Sequence, residues 1–484
     1  MTDAPRLRGR PGSASFRASL KSEAPMTGET LAATSRAGGA AHPVRDDLIE
    51  LLKLAGPLVP ARLGIMLMGF TDAVVVGRYS AVQLGYHALG WAVTSVVMGS
   101  SLGLLSGVQV MASRAIGEGN LKEAGAALRR GLSYALWIGL SATAALVLGG
   151  PWLLHHLGLA KDLADGASRP LIVFALSMPV FMLSAASSSW LEGLKRTVPP
   201  LVIMGIANLV NLAVDLVLVP GTFGLPALGA VGGAVATFAA RAMIAVCTLA
   251  YIWRMKDARA LGVFDKPPRD RTREREQRKV GYGAGASSFF EIMAFSGMNV
   301  VAGWIGGLAV AAWAVVLNVV AIVFMIPLGL ATATAVQVSR AHGARDEAGI
   351  DRAALVGYGV TAVFGAAAAA VVALFALPIA RVYTSDATTV AMATAALLLT
   401  STFIMPDALQ VVVAQSLRAR GDVLVPTVTH MVSYLLIMLP LAWWLAIPQH
   451  MGLQGIVWAS VVATFVAAGL LLGRFWMLAR RGEG

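Results

Sequence analysis

Long continuous apolar stretches dominate the sequence. There are twelve of them, and each holds enough residues to cross a hydrocarbon core of about 30 Å, which takes about 20 residues at ~1.5 Å per residue. Strands of a membrane β-barrel would instead be about 10 residues long and would alternate in polarity. The pattern predicts an all-α integral membrane protein with twelve transmembrane helices, at 52–76, 87–111, 131–150, 170–191, 199–220, 226–252, 281–304, 309–337, 354–380, 390–416, 424–447 and 453–478.

Composition agrees with a membrane protein. Hydrophobic residues make up 57% of the 484 and charged residues 13%, whereas soluble domains are roughly one quarter charged. The one cysteine, Cys247, excludes an intrachain disulfide and a metal site built from several cysteines.

Basic residues set the predicted orientation. If alternate loops face opposite sides, the side of the N-terminus carries 31 Lys and Arg and the other side carries 4. This asymmetry predicts a multi-pass protein of the inner (plasma) membrane with both termini in the cytoplasm. The net charge of +12 is then explained mainly by the basic loops on one side of the membrane, which also attract anionic membrane lipids. No basic patch is interleaved with aromatic residues, so we expect no nucleic-acid partner.

The two halves of the chain repeat each other. When the sequence is aligned with itself at an offset of 226 residues, several glycines, a proline and an Arg-Ala pair of the first half match identical residues of the second half. Because each copy holds six helices, both copies enter the membrane from the same side, as parallel repeats. We predict a V-shaped bundle of two lobes around a central cleft. Its parts are a disordered cytoplasmic tail (1–47), an N-lobe (48–253), a cytoplasmic basic linker (254–280) and a C-lobe (281–480). Met26 is an alternative start.

Four carboxylates lie within the apolar stretches, namely Asp72, Asp215, Glu291 and Asp407. An unpaired charge facing lipid costs several kcal/mol, so acids at such positions usually handle protons or cations. None of the four falls on another acid under the repeat, so each lobe has its own pair. In the N-lobe, Asp215 shares one helix face with the two asparagines Asn208 and Asn211.

Four stretches resemble the multidrug and toxic compound extrusion (MATE) family of cation-coupled drug antiporters. They are GFTDAVVVGRYSA at 69–81, NLVNLAVDLVLVPGTFGLPALGAVGGAVAT at 208–237, SSFFEIMAF at 287–295 and DALQVVVAQSLRARGD at 407–422. The last two resemble the NorM-like branch, which implies that Glu291 and Asp407 bind the coupling cation, Na⁺ or H⁺.

The same resemblance implies that Asp72 couples transport by protonation. Asp215 resembles instead the DinF-like branch, where the asparagine matching Asn211 also belongs to the site. We count Asn208 and Thr237, at the two ends of the stretch 208–237, with this N-lobe proton or substrate site. Arg241 is atypical beside NorM-like sequences.

These observations lead to one main hypothesis. The chain is a secondary antiporter that exports amphipathic, cationic drugs or metabolites in exchange for Na⁺ or H⁺, and it works as a monomer without a cofactor. One alternative is a flippase for a lipid-linked or polyprenyl-linked substrate, and another is a membrane enzyme, although the short loops offer no catalytic cluster. The buried acids could also be structural partners of Arg62 or Arg241. We expect the Arg62 side chain to extend toward the membrane–water interface. We expect Trp190 to face lipid or that interface.

Overall fold

The computed structural model describes residues 43–156, 160–266 and 270–482, and almost all of them are helical. Eleven helices of the described chain are long and apolar enough to span a membrane, and a bent pair supplies a twelfth span. The twelve spans are α1 (Pro43–Tyr79), α2 (Ala81–Gly117), α3 (Leu121–His156), α4 (Lys161–Leu176 and Met178–Gly193), α5 (Val198–Leu218), α6 (Ala230–Arg254), α7 (Arg271–Ile305), α8 (Gly307–Gly343), α9 (Glu347–Leu374), α10 (Ala387–Ala419), α11 (Leu424–Ala446) and α12 (Leu453–Gly482).

Several helices extend beyond the predicted apolar stretches. Helix α1 begins at Pro43, within the segment assigned to the disordered tail, whose residues 1–42, including Met26, lie outside the described residues. Helix α7 begins at Arg271, because Asp270 caps its N-terminus by accepting hydrogen bonds from two backbone N–H groups. The last ten residues of the basic linker are therefore helical. A hydrophobicity pattern does not detect the polar turns at the ends of a helix.

Two spans are irregular. Helix α4 bends by 42° at Ser177, two residues before Pro179. Helix α11 contains a π-helical segment, Met431–Met438, between two α-helical segments. Such segments are rare and are frequent at functional sites.

The predicted repeat is visible in the packing. Equivalent glycines sit against equivalent partners in the two lobes, and a Cβ on any of them would overlap its neighbour. The pairs are Gly131 on Val108 and Gly357 on Thr334, and Gly139 on Pro179 and Gly365 on Met405. Each pair of contacts differs by the offset of 226 residues, so the two lobes are built alike.

The lobes meet at the end of the bundle where α1 begins and α12 ends, called the terminus side below. There α2 crosses α8, and Gln109 and Ser113 donate hydrogen bonds to the carbonyls of Thr332 and Val336, at 3.0 and 2.7 Å. The crossing is symmetric: Gly117 lies against the carbonyl of Arg340, and Gly343 against that of Arg114. The described contacts thus join the two lobes at the terminus side.

Trp190 does not face lipid, contrary to our expectation. Its side chain is fully buried on α4, and its indole N–H donates to the carbonyl of Ala124 at 2.7 Å. A buried indole needs a hydrogen-bond acceptor, and α3 supplies one.

Candidate functional site

Asp72, the acid on α1, is the centre of a polar cluster inside the N-lobe. Its side chain is fully buried. One carboxylate oxygen accepts a hydrogen bond from Asn211 Nδ2 at 2.9 Å, and the other accepts one from the Thr237 hydroxyl. Helices α1, α5 and α6 therefore converge on this carboxylate.

Asp215 lies beside Asp72 and is less well satisfied. The side chain is also fully buried, and apart from the neighbouring carboxyl group of Asp72 neither of its oxygens has a hydrogen-bond partner among the described residues. The two carboxyl groups are close enough to interact electrostatically. Burying two such charges side by side is costly unless a proton or a cation neutralises part of the charge. The arrangement is suited to reversible cation binding.

Asn208 lies outside this cluster although it shares the helix face. Its amide donates to the carbonyl of Met204 on its own helix at 2.9 Å, and its side chain faces Gly64 of α1. A spacing of three residues places Asn208 almost one turn from Asn211, beyond the reach of Asp72.

His87 is a member of the cluster that the sequence analysis missed. It lies on α2, is buried, and places Nε2 at 3.8 Å from the carboxylate of Asp72 without a hydrogen-bond partner. Its ring packs edge-on against Phe174. Its position inside an apolar stretch was a signal that we could have used, since a histidine is unusual there.

Arg241 lies one helical turn from Thr237, toward the terminus side. The guanidinium is buried, donates to Ser177 Oγ at 2.6 Å and to Met98 Sδ at 3.2 Å, and sits over the rings of Phe181 and Trp91. Within the described chain no carboxylate forms an ion pair with it, so it is not locked to Asp72, with which it interacts only at longer range.

Arg62 does not extend toward the interface as expected. Its guanidinium donates to both carboxylate oxygens of Glu192, at 3.0 and 3.2 Å, and Glu192 is buried near the end of α4. Both residues line the same N-lobe cavity as Arg241. The expectation failed because Glu192, treated as a loop residue, faces the interior.

The C-lobe holds the second pair of acids. Asp407 on α10 is buried and Glu291 on α7 is half-buried, and the two groups interact electrostatically. Gln410, one turn after Asp407, approaches its carboxylate at 3.5 Å, at the limit of a hydrogen bond. The carboxylates therefore retain free capacity for a cation or a proton.

Three further polar side chains surround these acids, and the sequence analysis did not include them. Arg418, assigned to a loop, is buried in the last turn of α10, donates to Ser287 Oγ at 2.7 Å and interacts with Glu291. His430 and Tyr434 of α11 are buried, and neither the ring nitrogens nor the hydroxyl has a partner among the described residues. The π-helical segment of α11 includes Tyr434 and begins directly after His430. Unsatisfied groups of this kind call for water or an ion.

Neither lobe has a conventional metal centre in the described part of the chain, since no group of three or more His, Cys, Asp or Glu side chains there is arranged so that it could hold a metal ion. Each lobe instead offers two carboxylates with neutral oxygen donors nearby. Such a set suits a proton or a weakly held monovalent ion better than a permanently bound transition metal.

Comparisons with known proteins agree with this architecture. The sequence matches the MatE family model twice, over residues 57–217 and 284–444. The two matches begin within one residue of the 226-residue offset. The chain is 56% identical over 440 residues to "Probable multidrug resistance protein NorM" of Caulobacter vibrioides, covering 90% of this chain and 93% of that protein. It is 27% identical to "Multidrug resistance protein NorM" of Vibrio cholerae, covering 90% and 97%.

Solved structures share the fold. A MATE crystal structure in the bent conformation aligns with a TM-score of 0.81 at 20% identity, covering 91% of this chain and 98% of that one. The eukaryotic MATE transporter AtDTX14 aligns with a TM-score of 0.82 at 17% identity, covering 90% and 98%. Two family matches across most of the chain, together with the relative from Caulobacter, establish that the protein belongs to the MATE family of membrane transporters.

Proposed function

We propose that the protein is a secondary multidrug exporter that exchanges an amphipathic organic cation for H⁺ or Na⁺. The observation that carries the proposal is the pair Asp72 and Asp215, two buried carboxylates of which the second has, apart from Asp72, no hydrogen-bond partner among the described residues. The names of the relatives from Caulobacter and Vibrio favour drug export over the flippase and over an enzyme.

Coupling follows from competition for charge. A carboxylate loaded with a proton or Na⁺ no longer attracts an organic cation, and one holding the organic cation has less affinity for the coupling ion. Each pH unit of gradient supplies about 1.4 kcal/mol to such an exchange. No covalent intermediate is needed.

Alternating access supplies the direction of transport. The crossing of α2 and α8 joins the two lobes at the terminus side, and we infer that it closes this side. If the termini are cytoplasmic, as the basic residues predict, this state accepts the coupling ion from outside and releases the drug there. Rocking of the two lobes about the crossing would then expose the sites to the cytoplasm.

The proposal is tested in everted membrane vesicles, whose lumen corresponds to the cell exterior, with ethidium supplied in the outside medium. We expect the wild type to move ethidium when a gradient of the coupling ion, H⁺ or Na⁺, is imposed. Asp215→Asn should move ethidium only at the rate seen in vesicles without the protein. Asp265→Asn, an exposed acid in the segment after α6, is the matched control and should behave as wild type. Normal transport by Asp215→Asn would refute the proposal.

A further inference from the structure

Arg241 is a buried cation that the exchange mechanism does not use. Only 4% of the residue is exposed, and a guanidinium at this depth of a membrane span is costly. Two aromatic rings compensate part of that cost, at 4.7 Å for Phe181 and 5.7 Å for Trp91. A guanidinium has five N–H donors, and the described hydrogen bonds of Arg241 lead only to Ser177 and the weak acceptor Met98.

The guanidinium lines a cavity within the N-lobe. The cavity has a volume of about 80 Å³ and extends toward the Arg62 and Glu192 ion pair. Its wall also contains the two rings that stack on Arg241 and three serine hydroxyls, Ser184, Ser188 and Ser189. The wall therefore offers hydrogen-bond donors, aromatic faces and one cation that lacks an anion.

The charge of the wall selects the class of ligand. Two arginines and one glutamate line the cavity, which leaves one positive charge because Arg62 is already paired with Glu192. One positive charge matches a carboxylate, whose planar oxygens fit the guanidinium fork. A lipid-linked pyrophosphate would bring more negative charge than this wall can neutralise.

The volume selects the part of the ligand that enters. A drug-sized molecule needs about 300–1,000 Å³, whereas the cavity has room for little more than a carboxylate group. The flexible side chains of Met68 and Met204 in the wall can yield to the edge of an attached ring. The remainder of the molecule must then lie outside the cavity.

The acidic cluster lies one helical turn away. Arg241 follows Thr237 by four residues on α6, a rise of about 6 Å, and Thr237 is bonded to Asp72. A cationic layer and an anionic layer are thus stacked along the N-lobe. We propose that Arg241 and its cavity form a subsite for the carboxylate of aromatic zwitterions, whose cationic end lies at Asp72 and Asp215.

This inference rests on the proposed function, but equilibrium binding tests it without any ion gradient. Two fluorescent probes differ only at the carboxylate: rhodamine B carries it, and the ethyl ester of rhodamine B does not. Their affinities for the purified full-length protein are measured by fluorescence polarisation. We expect the wild type to bind the acid more tightly than the ester.

Substitution of Arg241 should remove this preference. We expect Arg241→Met to weaken binding of rhodamine B by about 10- to 100-fold, the usual worth of a hydrogen bond to a charged group, and to change binding of the ester by less than about 2-fold. Arg241→Lys keeps the positive charge but loses the paired N–H donors of the guanidinium. It should weaken the binding of rhodamine B to an intermediate extent. Arg254→Met is the matched control, since it removes an exposed arginine from the same helix and should alter neither affinity.

Retained binding of the ester shows that a variant is folded. The inference is overturned if the wild type binds the ester as tightly as the acid, or if Arg241→Met weakens both dyes equally, since Arg241 would then serve only the structure. Displacement of rhodamine B by dodecyl phosphate and not by 2-naphthoate would assign the cavity to a lipid phosphate and would equally overturn it. If the wild type bound rhodamine B more tightly than the ester but did not transport ethidium, only the proposed function would be refuted.

Discussion

The two lobes share a scaffold but differ in the chemistry that they bury. In the N-lobe, Asp72 is held by Asn211 and Thr237, whereas the oxygens of Asp215 and Nε2 of His87 accept no hydrogen bond from a described donor group. In the C-lobe, Asp407 has one weak contact, to Gln410. The N-lobe site is therefore compact and pre-organised, and the C-lobe site is looser.

The difference shows how a duplicated fold can hold two sites of different chemistry. Glycine contacts follow the repeat closely because helix packing depends on backbone shape. The acids do not follow it, because a charge can be placed wherever a neighbouring helix supplies partners. We infer that the N-lobe suits a proton, which needs few ligands, and that the C-lobe acids, whose one described contact is the weak one from Gln410 to Asp407, suit Na⁺.

The largest effect is expected from Asp72→Asn. The substitution keeps the shape and the bond to Asn211 but removes the charge that attracts a proton or an organic cation. Ethidium efflux driven by a pH gradient should fall to the level of vesicles without the protein. Efflux measured at several external pH values provides the check, and a variant that retains the pH dependence of the wild type would contradict the N-lobe assignment.

A similarly large loss is expected when both C-lobe acids are neutralised. We expect the double variant Glu291→Gln and Asp407→Asn to abolish transport while membrane insertion, measured by immunoblot of washed membranes, stays at the level of wild type. In purified protein this variant should also lose any effect of Na⁺ on ethidium binding. Normal efflux by the double variant would exclude a role for the C-lobe in coupling.

An intermediate effect is expected at the symmetric crossing of α2 and α8. A side chain at Gly117 or Gly343 would overlap a backbone carbonyl, and overpacking of this kind typically costs about 1–3 kcal/mol. Gly117→Val and Gly343→Val should each shift the protein away from the state closed at the terminus side and slow efflux to a similar extent. Gly56→Val, where a Cβ meets nothing within 4 Å, is the control for the substitution itself.

Accessibility of an introduced cysteine to a membrane-impermeant maleimide reports the shift. The natural Cys247 is first replaced by serine, and the probe is placed at Gln109 in the crossing. Labelling should increase in both valine variants. A change in only one of them would show that the two halves of the crossing are not equivalent.

The smallest effect is expected from Thr237→Val, which removes one hydrogen bond to Asp72. A bond to a charged group is worth about 1.5–3 kcal/mol, so the affinity for the coupling ion should change by roughly 10- to 100-fold without loss of transport at saturating gradient. Thr237→Ser keeps the hydroxyl and should restore the affinity of the wild type. Efflux rates measured against the size of the imposed gradient separate the two variants.

Much of the fold was predictable because apolar length and the 226-residue repeat are properties of the sequence itself. The presence of Asp72 and Asp215 inside transmembrane helices was predictable for the same reason, since both lie within apolar stretches. The rotation of each helix was not predictable. Asn208 was therefore included although it faces elsewhere. Arg418 was missed because it was assigned to a loop, and His87 was missed although its place in an apolar stretch was a usable signal.

Ion pairing was also unpredictable, because it depends on partners that are distant in sequence. Arg62 pairs with Glu192, 130 residues away. No carboxylate of the described residues forms an ion pair with Arg241. Only the packing of α1 against the other N-lobe helices decides which arginine is satisfied.

The most direct test of the account is the release of ions when a drug binds. Ethidium is added to purified protein in a weakly buffered solution with a known Na⁺ concentration, and pH and free Na⁺ are recorded together. The account predicts that the wild type releases protons or Na⁺ as ethidium binds, and that the double variant Asp72→Asn and Asp215→Asn releases fewer or none. Tight binding of ethidium to the wild type with no release of either ion would contradict competition at the buried carboxylates.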